Sequence, residues 1–64
     1  MFMIEWVAGA KIVERAPSDL AELAQVVACA RRMAADVLQR NRARAPDRFR
    51  VLDEDLDQVA IERI

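Results

Sequence analysis

Apolar positions along this chain follow two rhythms. From Ser18 to about Asn41 they recur every three to four residues, the spacing of one long amphipathic helix. At about 100° per residue, Leu20, Leu23, Val27, Ala30, Ala34, Val37 and Leu38 share one face, with Glu22, Gln25, Cys29, Arg32, Asp36, Gln39 and Arg40 opposite. Val26 and Met33 widen the apolar side along one edge, and Ala21, Ala24, Ala28 and Ala35 line the other. Ser18 or Asp19 supplies an N-cap, with Glu22 suited to the positive helix end. Asn41 is placed to take a left-handed C′ position, and Pro46 bars continuation.

Elsewhere the rhythm is twofold, the alternation of β-strands. Phe2 to Ala8 reads as a strand with Phe2, Ile4 and Trp6 on one side and Met3, Glu5 and Val7 on the other. Gly9, the only glycine, marks a tight turn into a return strand from Lys11 to Arg15. Its register is not settled by the pattern; a three-residue loop of Ala8, Gly9 and Ala10 sets Ile12 opposite Trp6 and is the preferred pairing. Arg48 to Leu52 alternates again, and Val59 and Ile61 repeat the pattern in a last strand. Pairing Val51 with Val59 sets Phe49 opposite Ile61 and Arg48 opposite Glu62, an apolar face and an ion pair from one register. The turn is then Glu54-Asp55-Leu56.

The elements predict an α+β domain of ββαββ order: a four-stranded antiparallel sheet with one long helix packed on one face. A 24-residue helix spans roughly 36 Å and six-residue strands roughly 20 Å, so the helix is expected to overhang. One helix covers one face only. The other is expected to show Met3, Val7, Leu52, Ala60 and Ile64 among charges, more apolar surface than a small monomer usually leaves wet. Trp6 reads as a core residue beneath the helix, the alternative being an interface anchor.

Size sharpens this picture. The 64 residues read as a single domain, residues 1–64. A chain of this length buries only about 60 % of its unfolded surface, so self-association is an expected source of stability. The expected contacts are the open sheet face (Met3, Val7, Leu52, Ala60) and the helix flank (Val26, Met33), in a homodimer. With one cysteine no intrachain disulfide is available, which fits a reducing cytoplasm. Met1 to Val7 is too short, and carries Glu5 too early, for a signal peptide or membrane span.

Charge is segregated although the net is only −1. Residues 31–50 hold seven arginines against Asp36 and Asp47, a net of +5, while residues 51–64 hold five acids against Arg63, a net of −4. Arg40, Arg42, Arg44, Arg48 and Arg50 form the one basic cluster. It is a candidate grip on nucleic-acid phosphates, with Phe49 as a stacking platform. The competing reading is a solvated loop whose arginines pair with the acidic tail, and the dipolar charge favours that reading over polyanion binding. A third role, regulator or inhibitor of a larger, unknown protein partner, rests on size and charge segregation alone.

Little chemistry is on offer. There is no histidine or tyrosine, Ser18 is the only serine, and no nucleophile–base arrangement assembles within one chain. One cysteine and no histidine leave no usual zinc or haem site, and one glycine excludes phosphate-cradling loops. No catalytic, cofactor or metal residues are assigned, and an enzyme is not expected. Cys29 beside Arg32 is a conceivable redox-sensitive thiol, but a small boundary residue is the plainer reading. Asp53-Glu54-Asp55-Leu56-Asp57 opens like a calcium loop, yet Gln58 stands where the turn glycine belongs and Ile64 where the bidentate glutamate belongs. It reads as an acidic solvated turn.

Trp6 before the Gly9 turn, the helix around Ala30-Arg31-Arg32 and the run Arg50-Val51-Leu52-Asp53-Glu54-Asp55 together carry a resemblance. The chain resembles small uncharacterised bacterial proteins of ββαββ layout that end in an "RVxDEDG" hairpin, departing at Leu56, where glycine usually follows. The resemblance implies the fold, and brings no activity or site residues with it.

Overall fold

The structure, a computed structural model, describes residues 1–64. Its first strand, β1 (Phe2–Ala8), turns at Gly9, whose φ of +60° is a conformation that favours glycine. Ala8 pairs with Lys11, so the loop has two residues rather than the expected three. Strand β2 (Lys11–Ser18) then runs with Ile12 opposite Val7 and, after a β-bulge, Glu14 opposite Trp6. The extra residue, Val13, displaces the expected pairing of Ile12 with Trp6. β2 continues past Arg15 through Pro17, which an edge strand tolerates because the N–H that proline lacks is not needed on the unpaired side.

Extending β2 delays the helix. Ser18 ends the strand instead of capping, its Oγ making only a long 3.4 Å contact with the Leu20 amide. Helix α1 (Leu23–Arg40) starts after Glu22, which is extended at φ −108° and makes no side-chain cap bond. The residues from Asp19 to Glu22 are needed to climb from the sheet edge onto its face, which leaves Leu20 exposed rather than in the core. At 18 residues the helix is about 27 Å long, less overhung than expected. Asn41 closes it without entering the left-handed region (φ −123°): its Nδ2 donates to the Val37 carbonyl at 2.8 Å. A 3₁₀ turn, Arg42–Arg44, and buried Pro46 lead into β3 (Arg48–Leu52) and β4 (Gln58–Arg63).

All four strands are antiparallel in the order β2-β1-β3-β4, giving the expected ββαββ layout. β1 meets β3 with Ile4 opposite Val51 and Trp6 opposite Phe49. The β3–β4 register is one residue from expectation: Val51 faces Ala60, Phe49 faces Glu62, and Arg48 faces Arg63. The cause lies in the turn. Asp53 Oδ1 accepts the amides of Asp55 (2.9 Å) and Asp57 (3.0 Å), Leu56 adopts φ +65°, and a bulge follows between the partners of Val51 and Leu52. A shift of one residue exchanges the faces of a strand. Ala60 and Glu62 therefore point to the helix, and Val59 and Ile61, expected in the core, are exposed.

The core lies between α1 and the two central strands. Ile4, Trp6, Val26, Ala30, Val37, Phe49 and Val51 are buried together, with Phe2, Val13, Ala16, Leu23, Val27, Met33 and Ala60 packed around them. Each large side chain there contributes about 1.5–3 kcal/mol of burial. Val26 and Met33 belong to this core rather than to a free helix flank. No helix is long and apolar enough to cross a membrane.

Candidate interaction surfaces

Strand alternation sets Met3, Glu5 and Val7 of β1 on the face away from α1, with Arg48, Arg50 and Leu52 of β3 beside them. Glu5 is directly opposite Arg15 on β2 and Arg50 on β3. Arg50 Nε donates to Oε1 at 2.7 Å, and Arg15 Nε stands 3.1 Å from Oε2. The two arginines lie over the carboxylate so closely that Glu5 is only 3 % exposed. A charge taken out of water to that degree is tolerable because each oxygen has its own cation. The stripe divides the expected apolar surface in two. Met3 and Leu52 lie on one side of it with Pro17; Val7 and Ile12 lie on the other with Arg48 and Arg63.

The residues expected to form an interface are thus dispersed. Val7 and Leu52 sit on the open face but are buried by their neighbours, and Met3 is half-buried. Val26 is wholly buried, Met33 packs against the core, and Ala60 faces the helix.

The basic cluster is dispersed too. Arg40 holds Glu14 through Nε (3.3 Å) and Nη2 (2.6 Å), and Asn41 adds a 3.1 Å bond to the same carboxylate. Arg40, first of all, keeps Glu14 ionised below its ordinary pKa, against the opposing effect of desolvation. Arg48 binds Asp47 at 2.6 Å and the Gly9 carbonyl at 2.8 Å, while Asp47 Oδ2 accepts the Gly9 amide at 3.0 Å. That clasp ties the first hairpin to the start of β3, and the Gly9 amide is the main cause of the lowered Asp47 pKa. Arg50 serves Glu5. Only Arg42 and Arg44, on the exposed 3₁₀ turn, have no ion-pair partner within the cluster. Phe49 is in the core, so it offers no stacking platform.

In the acidic turn, carboxylate oxygens of Asp53, Asp55 and Asp57 come within 4.8 Å of one another. The Asp53 oxygen that accepts two amides closes the loop, which accounts for the convergence. Glu54 turns away to the N-terminal ammonium at 2.8 Å. Cys29 is half-buried, with Sγ 3.7 Å from Met33 Sδ.

The two sheet edges differ in character. Both edge strands carry a bulge, at Val13 and at Val59, but along β2 Lys11, Glu14, Arg15 and Pro17 guard further against another strand. Along β4, Val59 (39 %), Ile61 (54 %) and Ile64 (45 %) are exposed, with no proline or lysine among them. This open edge was hidden from sequence reasoning by the assumed register, which spent Val59 and Ile61 in the core. The Asp53–Asp57 turn chemistry was the available signal. Comparison with known protein families, curated proteins and solved structures finds no match to this chain.

Proposed function

We propose that this protein is a non-enzymatic interaction module that self-associates as a homodimer. The observation that carries the reading is the set of apolar side chains Val59, Ile61 and, just past the strand, Ile64, exposed outside the core on β4, an edge strand paired on one side only. A small domain that places β-branched residues along an open edge presents a template for another chain. The composition supports a binding role over catalysis, since the chain lacks histidine, tyrosine and any nucleophile with a base beside it. Sedimentation equilibrium over a wide concentration range tests it. A rise from 7.3 kDa to twice that mass is expected; a monomer at every concentration overturns it.

Nucleic-acid binding is a second reading, narrowed to Arg42 and Arg44, the two unpaired arginines of the cluster. It requires salt-sensitive retention on DNA or RNA that disappears in the Arg42→Ala/Arg44→Ala variant. Absence of retention at low salt ends it.

A further inference from the structure

We infer that the end of the sheet where β1 begins is a docking site for a segment of another protein, one that carries lysine or arginine around a large apolar side chain.

Antiparallel pairing brings three pieces of chain together there. The first residues of β1, the Asp53–Asp57 turn and the Asp19–Glu22 link into α1 meet at the end of the sheet remote from Gly9. Two adjoining hollows lie among them, of about 310 and 540 Å³, which share Met1, Phe2, Asp53 and Glu54. The smaller reaches Met3 and Leu56; the larger reaches Leu20 and the acids Asp19 and Asp55. Leu56 gives the trough its strongest mark. Its φ of +65° is strained for a bulky side chain, whereas glycine takes that conformation freely. Folding gains little from the side chain in return, since Leu56 is 72 % exposed, and Met1 and Leu20 are exposed as well. Apolar groups held out of the core at a conformational cost are accounted for when a partner covers them.

Charge specifies that partner. No arginine or lysine lines either hollow, and Asp19, Asp53 and Asp55 have no ion-pair partner in the chain. Glu54 alone meets a cation, the Met1 ammonium. Lys11, Arg42, Arg44 and Arg63, which are also free of ion pairs, lie at the far end of the sheet, beyond reach of these acids. An apolar trough rimmed by unneutralised carboxylates complements a segment with cationic flanks and an apolar anchor. A second copy would have to offer its basic end. Because the two ends lie at opposite ends of the sheet, such a contact adds copies head to tail and does not close at two. The site is thus separate from the homodimer proposed above, which draws on the β4 edge.

Selection from a phage-displayed library of random peptides tests the site. Sequences with two or more basic residues around Leu, Ile, Met or Phe should be enriched. Affinity of an enriched peptide, read by fluorescence anisotropy, should fall roughly tenfold in Leu56→Gly, which removes the apolar wall and leaves every charge in place. Leu56→Gly should melt no lower than the wild type, so that lost binding is not lost folding. Asp19→Asn/Asp55→Asn should weaken binding about threefold and flatten its salt dependence. No enrichment, enrichment of peptides without basic residues, or an affinity indifferent to Leu56→Gly overturns the docking site and leaves the homodimer standing. Wild-type assemblies that grow beyond two copies and vanish in Leu56→Lys put a second copy in the trough and overturn the foreign partner. A wild-type monomer that binds the basic peptides removes the homodimer and keeps the site.

Discussion

The two faces of the sheet are both nearly dry at their centres, but by opposite means. Under α1, Trp6 and Phe49 fill the space with hydrocarbon and meet the helix at Val26, Ala30 and Val37. On the far side nothing packs, and Glu5 is shielded by two arginines drawn from the neighbouring strands. The difference teaches that a sheet without a second layer can cover its middle with long side chains. Arginine stems supply the apolar lid, and their heads satisfy the carboxylate beneath. The face is then closed enough that the edge, rather than the face, holds the exposed β-branched residues.

Breaking the covered side should have the largest effect. Trp6→Ala or Phe49→Ala removes a wholly buried ring and should cost about 3–5 kcal/mol. Domains of this size have total stabilities of that order, so urea titration should show a largely unfolded chain. Next comes the charged stripe. Glu5→Ala leaves two guanidiniums facing each other and should cost about 2 kcal/mol, below the 3–5 typical of a fully buried pair because Arg15 and Arg50 remain partly solvated. Replacing Arg15, Glu5 and Arg50 together by methionine should recover most of that loss. If the triple variant is less stable than Glu5→Ala, the stripe is more than a lid.

A smaller effect sharpens the view of the covered face. The Trp6 indole N–H is buried without an acceptor. Trp6→Phe gives up ring area but also removes an unsatisfied donor, so its cost should stay near 1 kcal/mol. A loss as large as that of Trp6→Ala would mean the N–H is bonded after all.

The smallest effect concerns pH. Arg40 lowers the pKa of Glu14 and Arg31 lowers that of Glu62, each from an ordinary value of 4.5. Folded values below unfolded ones mean the stabilisation is complete above about pH 5 and is lost as pH falls through the lowered values. Urea midpoints should decline from neutral pH toward pH 3, and Glu62→Gln should flatten part of that slope. An unchanged slope in Glu62→Gln assigns the acid sensitivity to other carboxylates.

How far the chain could be read in advance follows the same divide. The stripe from Leu23 to Val37 and the alternation of Phe2 to Val7 are long-range periodicities, and both survive into the structure. Two single-residue bulges, at Val13 and Val59, leave no periodic trace. Each nevertheless moves a whole strand by one position. That slip put Glu62 rather than Ile61 beneath the helix and opened the edge. Glu5 was placed on the correct side, but its two partners depend on strand order, which hairpin reasoning alone does not supply. The arginine cluster looks continuous in sequence because Glu14 and Glu5, which take Arg40 and Arg50 out of it, lie far off along the chain; only Asp47, beside Arg48, stands within the run.

The strand order also has a kinetic meaning. Either hairpin closes over a few residues and can form within microseconds, yet neither has a mate until the seam between β1 and β3 is made. Glu5 and Arg50, which face each other across that seam, stand 45 residues apart. Joining them is the entropically slow event. Truncations at the seam, such as Val51→Ala, should therefore retard refolding in stopped-flow experiments. Changes at the Asp53–Asp57 turn should mostly hasten unfolding.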